Sequence, residues 1–346
     1  MTPLARSMAA LRWEQPDRVP VVPQNSTMAV ALAGYDMIEC SHDGRKLALA
    51  MLACREKFGY DGHFMGPDAA ILAEALGCPV EYRPDNPPAL TGHVLERLED
   101  VDKLKPLDPS KDGRLPQWLK AVETLVAKEG DRVLVIGRAD QCGFTLAALL
   151  RGMEQFLLDI SLGEKPELVH KLIAFCNQCH IELARAMKRA GAHVTTCGDA
   201  FGGPDIVGPP IFNEYVLPYE KEATRAIQEE IGLPYSIHIC GRTDAIHDQW
   251  VETGAAAFEI DHRTDIKRLR SISLGKTALI GNLDTEMLAR GTPAEVENAC
   301  RDLFQVMLPQ SGFILSSGCS MLSSTKPENL AAMVAAARRY GVYPRA

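Results

Sequence analysis

The sequence has no basic excess. Its 37 lysines and arginines are outnumbered by 45 aspartates and glutamates, for a net charge of -8. A nucleic-acid binder carries a basic stripe or patch, and none is legible here. No apolar run approaches the roughly 18 residues that a membrane helix needs. The opening MTPLARSMAALRWEQPDRVP lacks the sustained apolar stretch of an export signal. The expectation is a cytoplasmic protein with no membrane or nucleic-acid partner. Its ten cysteines are then expected to be free, buried or metal-bound rather than paired in disulfides. No glycine-rich phosphate loop follows any strand near the N-terminus, which argues against a doubly wound open sheet.

What is present is an alternation of short apolar runs with longer amphipathic segments. Eight runs read as strands: 18–25, 62–66, 132–139, 193–200, 234–240, 256–261, 277–284 and 313–318. Helical segments follow them, including 165–191 and 211–232. Eight strand–helix units in order predict a single α/β domain over 1–346, a (β/α)8 TIM barrel. The stretch 77–131 breaks the repeat. It reads as an insertion after the second strand, with a small hairpin and a helix over 115–129.

In such barrels the C-terminal ends of the strands face the active site. That rule picks out Asn25, Asp140, Asp199, His238, Cys240, Asp261, Asn282, Asp284 and Cys319. Residues i and i+2 of a strand share a face. His238 and Cys240 in YSIHICGR therefore converge on one spot. Imidazole nitrogen and thiolate sulfur suit zinc, and Cys319 just past the last strand supplies a third ligand. Three ligands with an open fourth position describe a catalytic zinc rather than a structural one. The blander alternative is two buried thiols and a core histidine.

The chain resembles the uroporphyrinogen decarboxylase superfamily, and within it the zinc-containing, cobalamin-dependent methyltransferase branch. The resemblance rests on HICG, GNLD and GFILSSGC, on the opening DRVPVVP, on GFTLAA and on IFNEYVLPYEKEATRAI. It implies a zinc site at His238, Cys240 and Cys319. It also implies methyl transfer between a zinc-activated small molecule and cobalamin carried by a partner corrinoid protein. The small molecule is a thiol acceptor, or a methoxy, methylamine or methylthio donor. Asp199 matches an acid-bearing loop of the family and is the candidate catalytic carboxylate, although a loop or cap role fits its position equally. Asn25, Asn282 and Asp261 are candidate substrate contacts. The competing reading is a metal-free decarboxylase of the same superfamily. Those enzymes carry an arginine-rich stretch after the first strand, whereas this chain has no arginine between Arg18 and Arg45.

The remaining residues read more plainly. His262 fits a solvated loop, Asp284 a loop carboxylate, and Tyr215 and Tyr219 core packing. CNQCH over 176–180 imitates a haem attachment motif, but it lies in a helical stretch. Cys197 reads as a buried thiol. The oligomeric state stays open, a homo-oligomer included.

Overall fold

The computed structural model describes residues 1–343. Among the described residues nine strands form, in chain order: β1 (Gly62–Met65), β2 (Val80–Glu81), β3 (Ala89–Leu90), β4 (Leu134–Gln141), β5 (Val194–Gly198), β6 (Tyr235–Ile239), β7 (Ala257–Ile260), β8 (Ala278–Leu283) and β9 (Phe313–Ser317). Seven of them make one parallel sheet in the order β1-β4-β5-β6-β7-β8-β9. Each of the seven is buried along its length, as parallel strands covered on both faces must be. The other two pair as an antiparallel hairpin. It stands with the helix Leu115–Glu129 between β1 and β4 in the chain.

The sheet curls, and its two faces carry different cores. One face packs Phe64, Leu134, Ile136, Val194, Ala257, Ile280 and Ile314 around Ala10 and Leu11 of the helix Pro3–Leu11. That helix closes the floor of the curl. The other face packs Val135, Cys197, Ile237 and Phe258 against the surrounding helices.

The expected first strand is not one. Residues 18–25 make only isolated bridges, Arg18 to Val342 and Val21 to Leu315. Pro20 and Pro23 remove two backbone donors, so a regular ladder cannot form. The segment still lies between the sheet edges. Val22 N–H donates to the Leu315 carbonyl at 2.9 Å, Leu315 N–H to Pro20 at 2.9 Å, and Asp61 N–H to Val21 at 2.7 Å. The buried Asp61 carboxylate completes the fastening. It accepts from Val21 N–H at 2.8 Å, from Arg6 at 2.7 Å and from Arg18 at 2.8 Å.

A second expectation is corrected at Cys197, which is bonded to Cys142 in a disulfide rather than free. Cys142 follows β4 directly and Cys197 lies within β5, on neighbouring strands. Their sequence separation of 55 hides that proximity in the sequence. Among the described residues no helix is long and apolar enough to cross a membrane.

Candidate metal centre

Strand alternation builds the site. Ser236 and His238 of β6, and Glu259 of β7, point inward. Glu259 accepts hydrogen bonds there from Ser236 at 2.8 Å, from Thr196 of β5 and from Gln24 at 3.4 Å. Cys240 continues the inward series one residue beyond β6. Its neighbour Gly241 has φ +86, and a Cβ there would sit 2.2 Å from an Asp205 carboxylate oxygen. Only glycine fits that turn. Gly241 N–H also donates to Asp261 at 2.8 Å, which fixes the loop carrying Cys240. Cys319 enters from the loop after β9.

One ligand atom from each of His238, Cys240 and Cys319 lies within 4.8 Å of the others. His238 Nδ1 is 3.0 Å from the Glu259 backbone carbonyl, and Nε2 is 3.1 Å from Cys240 Sγ. A carbonyl only accepts, so Nδ1 carries the proton and Nε2 faces the sulfurs. A metal-ligating histidine is oriented in this way. His238 is buried, whereas both cysteines are partly exposed at the rim. The cluster is therefore open on one side.

The electrostatics favour anionic sulfur. Hydrogen bonds from Cys240 and His238 outweigh burial and hold the Cys319 thiol well below its ordinary range. Cys240 moves up, because it shares its proton with Cys319 and is buried. Burial pulls His238 down, but the adjoining Cys319 more than reverses this, so its net shift is upward. A thiolate, a thiol and an imidazole at this spacing form a donor set that a divalent soft metal would complete.

The other expected residues divide. Asp199 follows β5, and its N–H donates to the His238 carbonyl at 2.7 Å. Its carboxylate accepts from Thr145 N–H at 3.1 Å and from the Thr145 hydroxyl at 2.5 Å. Burial raises its pKa to about 7. Asp261 accepts from Gly241 and Arg263, and Asn282 donates to the Asp261 carbonyl at 3.2 Å. Both brace the rim. Asn25 turns its amide to Cys54 of the helix Gly44–Phe58, 3.4 Å away. Asp284 caps the helix Thr285–Arg290 through Glu286 N–H, and His262 is exposed beside Asp261. Tyr215 stacks on His170, and Tyr219 bonds the same ring.

The sequence reading passed over two charged residues. Glu259 sits behind His238. Arg138 of β4 is 7 % exposed and, among the described residues, makes no ion pair; its Nε is buried without a partner. Gly66 and Gly198 leave it room, since a Cβ at either would fall within 2.7 Å of its side chain. Arg138 lines a cavity of about 330 Å³ with Pro67, Pro87, Leu90 and Ser320. Ser320 adjoins Cys319. A cavity of about 850 Å³ lies at the opposite end, beside Leu4 and Ala5 of the floor helix, and holds none of these groups.

A curled parallel α/β sheet with a His/Cys cluster at its C-terminal rim has the plan of an enzyme. The chain belongs to the uroporphyrinogen decarboxylase (URO-D) family, whose model matches residues 2–340. It is 32% identical over 349 residues to a methylcobamide:CoM methyltransferase MtbA of Methanosarcina mazei, covering 98% of both chains. It is 30% identical over 345 residues to the MtbA of Methanosarcina acetivorans, again covering 98% of both. A solved methyltransferase structure from Methanosarcina mazei shares the fold, with a TM-score of 0.89 at 22% identity, over 98% of this chain and 99% of that one.

Proposed function

We propose that this chain is a zinc-dependent methyltransferase. It would move a methyl group between a zinc-activated small molecule and the cobalamin of a partner corrinoid protein. The observation that carries the reading is the convergence of His238, Cys240 and Cys319 on one point, with His238 Nδ1 already engaged. The names of the two MtbA relatives support the same chemistry.

His238 Nε2 and the sulfurs of Cys240 and Cys319 would hold the ion, leaving the exposed side free for substrate. Zinc, when bound, supplies a Lewis acid that holds a thiol as thiolate near neutral pH or polarises a methylated heteroatom. The chain's own residues do the rest. Asp199, with a pKa near 7, takes the proton that a thiol gives up on binding. Asp261 and Asn282 keep the loop of Cys240 in place. Arg138 faces the cavity beside Ser320 and holds an anionic end of the substrate. The rim stays open for a corrinoid protein to present its cofactor.

A metal-free decarboxylase is the second reading, since the family bears that name. A polycarboxylate porphyrinogen needs several cations, and among the described residues Arg138 is the one guanidinium lining the cavity beside Ser320. The test is zinc per chain in the wild type and in Cys319→Ala, with methyl transfer from methylcobalamin to small thiols assayed alongside. The reading expects about one zinc per chain, lost together with activity in the variant. Metal-free, reduced wild-type protein would return the decarboxylase to first place.

A further inference from the structure

A second sulfur cluster lies behind the rim, in the layer between sheet and helices. The proposed reaction does not use it. Cys197 and Tyr235 sit on the outer face of β5 and β6, and Cys142 is the N-cap of the helix Gly143–Arg151. His180 reaches in from the helix Pro166–Arg189. All four are buried. The Cα atoms of the bonded Cys142 and Cys197 are 5.8 Å apart, within the ordinary disulfide range.

The surroundings of the two sulfurs decide what the pair can do. The Tyr235 hydroxyl is 2.8 Å from Cys197 Sγ, 3.4 Å from Cys142 Sγ and 2.8 Å from His180 Nε2. His180 Nδ1 is 2.8 Å from the Ala139 carbonyl. That carbonyl only accepts, so Nδ1 is protonated and Nε2 accepts the Tyr235 proton. Burial, which pushes His180 down to about 4, keeps the ring neutral. The Tyr235 oxygen therefore turns lone pairs toward the sulfurs. A disulfide has no proton to give them. A thiol at Cys197 does, and its S–H would find an acceptor already in place.

We propose that Cys142 and Cys197 form a redox-active pair that cycles between disulfide and dithiol by exchange with small-molecule thiols. Both sulfurs are buried, so exchange runs through local opening of the layer between sheet and helices. In reduction, a thiolate then attacks Cys197 Sγ, forming a mixed disulfide and expelling Cys142 as thiolate at a helix N-terminus, which favours the anion. A second thiolate attacks the sulfur of the small molecule in that mixed disulfide. The small-molecule disulfide leaves, and Cys197 is released. Two electrons and two protons pass from two small thiols to the protein, and Cys197 S–H then donates to Tyr235. Oxidation is the reverse.

The pair is placed to matter. Cys142 N–H donates to the Gly198 carbonyl at 2.8 Å. Three residues further on, Thr145 holds the Asp199 carboxylate, and Asp199 N–H donates to the His238 carbonyl. The covalent bond thus braces the two segments that position Asp199.

The test uses the folded, full-length, metal-loaded protein. It is equilibrated in buffers of reduced and oxidised dithiothreitol, trapped by alkylation and read by peptide mass spectrometry at Cys142 and Cys197. The pair is expected to pass reversibly from about one-tenth to nine-tenths disulfide over a roughly hundredfold change in the reagent ratio, as a two-electron couple does. Tyr235→Phe removes the acceptor of the reduced state. It should shift the midpoint toward disulfide by about fivefold, the worth of one hydrogen bond, while zinc content stays unchanged. A bridge that survives excess dithiol without denaturant overturns the proposal. So do thiols that stay unpaired in excess oxidant, or a second metal per chain that disappears in Cys142→Ser. None of these readouts depends on methyl transfer, so they stand apart from the test of the reaction.

Discussion

His238 and Glu259 are register partners on neighbouring strands, and the carbonyl of one fixes the tautomer of the other. The Glu259 side chain adds a second influence from the same position. It sits inward, and its charge favours protonated or metal-facing imidazole at His238. A backbone bond and a side-chain charge from one residue therefore both act on His238.

Glu259→Gln separates the two. The carbonyl stays, an amide oxygen can still accept from Ser236 and Thr196, and the charge is lost. Metal affinity should fall by about tenfold, the lower end for residues behind a metal ligand, with little change in folding. Competition against a chromogenic chelator reads this directly. Unchanged affinity would mean that the carboxylate has no hold on the metal.

Arg138 can be moved without being removed. Gly198→Ala places a methyl 2.6 Å from its terminal nitrogen, so the guanidinium must shift. For an anionic substrate KM should rise by about tenfold, with kcat and zinc content close to wild type. Arg138→Gln should do the same more strongly, since a hydrogen bond to a charged group contributes roughly 1.5–3 kcal/mol. Neutral thiols of equal size should show no change in KM. A parallel loss with both kinds of thiol would rule out anion recognition by Arg138.

The convergence of His238, Cys240 and Cys319 was legible because it follows from two simple rules. Side chains alternate along a strand, and active sites sit at C-terminal strand ends. His238, Cys240 and Cys319 satisfy both. Arg138 and Glu259 satisfy them too, but each lies inside an apolar run, RVLVIGRA or AAFEID, where periodicity draws the eye to the hydrophobic residues. What makes them notable is how they are paired, and a sequence does not display pairing. The same holds for Cys142 and Cys197, whose bond depends on two strands meeting. Residues 18–25 failed as a strand for a local reason. Their apolar character fits the sheet edge, but Pro20 and Pro23 cannot feed a ladder. Asn25 follows that irregular segment, and its amide donates to Cys54 Sγ at 3.4 Å.

The fastening of that segment gives a stability prediction. Asp61 is 1% exposed and binds two arginines and one backbone N–H. Asp61→Ala leaves Arg6 half-paired and Val21 N–H without its side-chain acceptor. Breaking one side of a buried ion pair costs about 3 kcal/mol or more. Urea denaturation should show that loss, whereas Asp17→Ala, at a part-exposed partner of Arg6, should lose under about 1 kcal/mol. Equal losses would show that the bonds to Arg18 and Val21 contribute nothing.

Asp140 supplies a dependence on pH. It is fully buried, with φ +58, and one carboxylate oxygen accepts from Leu72 N–H at 2.8 Å. The other oxygen has no partner among the described residues. Burial raises its pKa to about 7, against the opposing pull of Arg138. In the unfolded chain the same group ionises near 3.8. Between those values the native state binds the proton that the unfolded chain has lost, so stability falls as pH rises. The contribution is fully present below about pH 4 and is lost as pH passes about 7. Asparagine tolerates the left-handed backbone, accepts the Leu72 bond and never ionises. Asp140→Asn should therefore lie close to wild type in acid and pull ahead by roughly 3 kcal/mol between pH 5 and pH 8, at 1.36 kcal/mol per unit of pKa shift. Denaturation curves at pH 5, 6.5 and 8 measure the divergence. A constant gap across that range would mean that Asp140 is ionised throughout, and that Arg138 neutralises it and is not free to bind an anion.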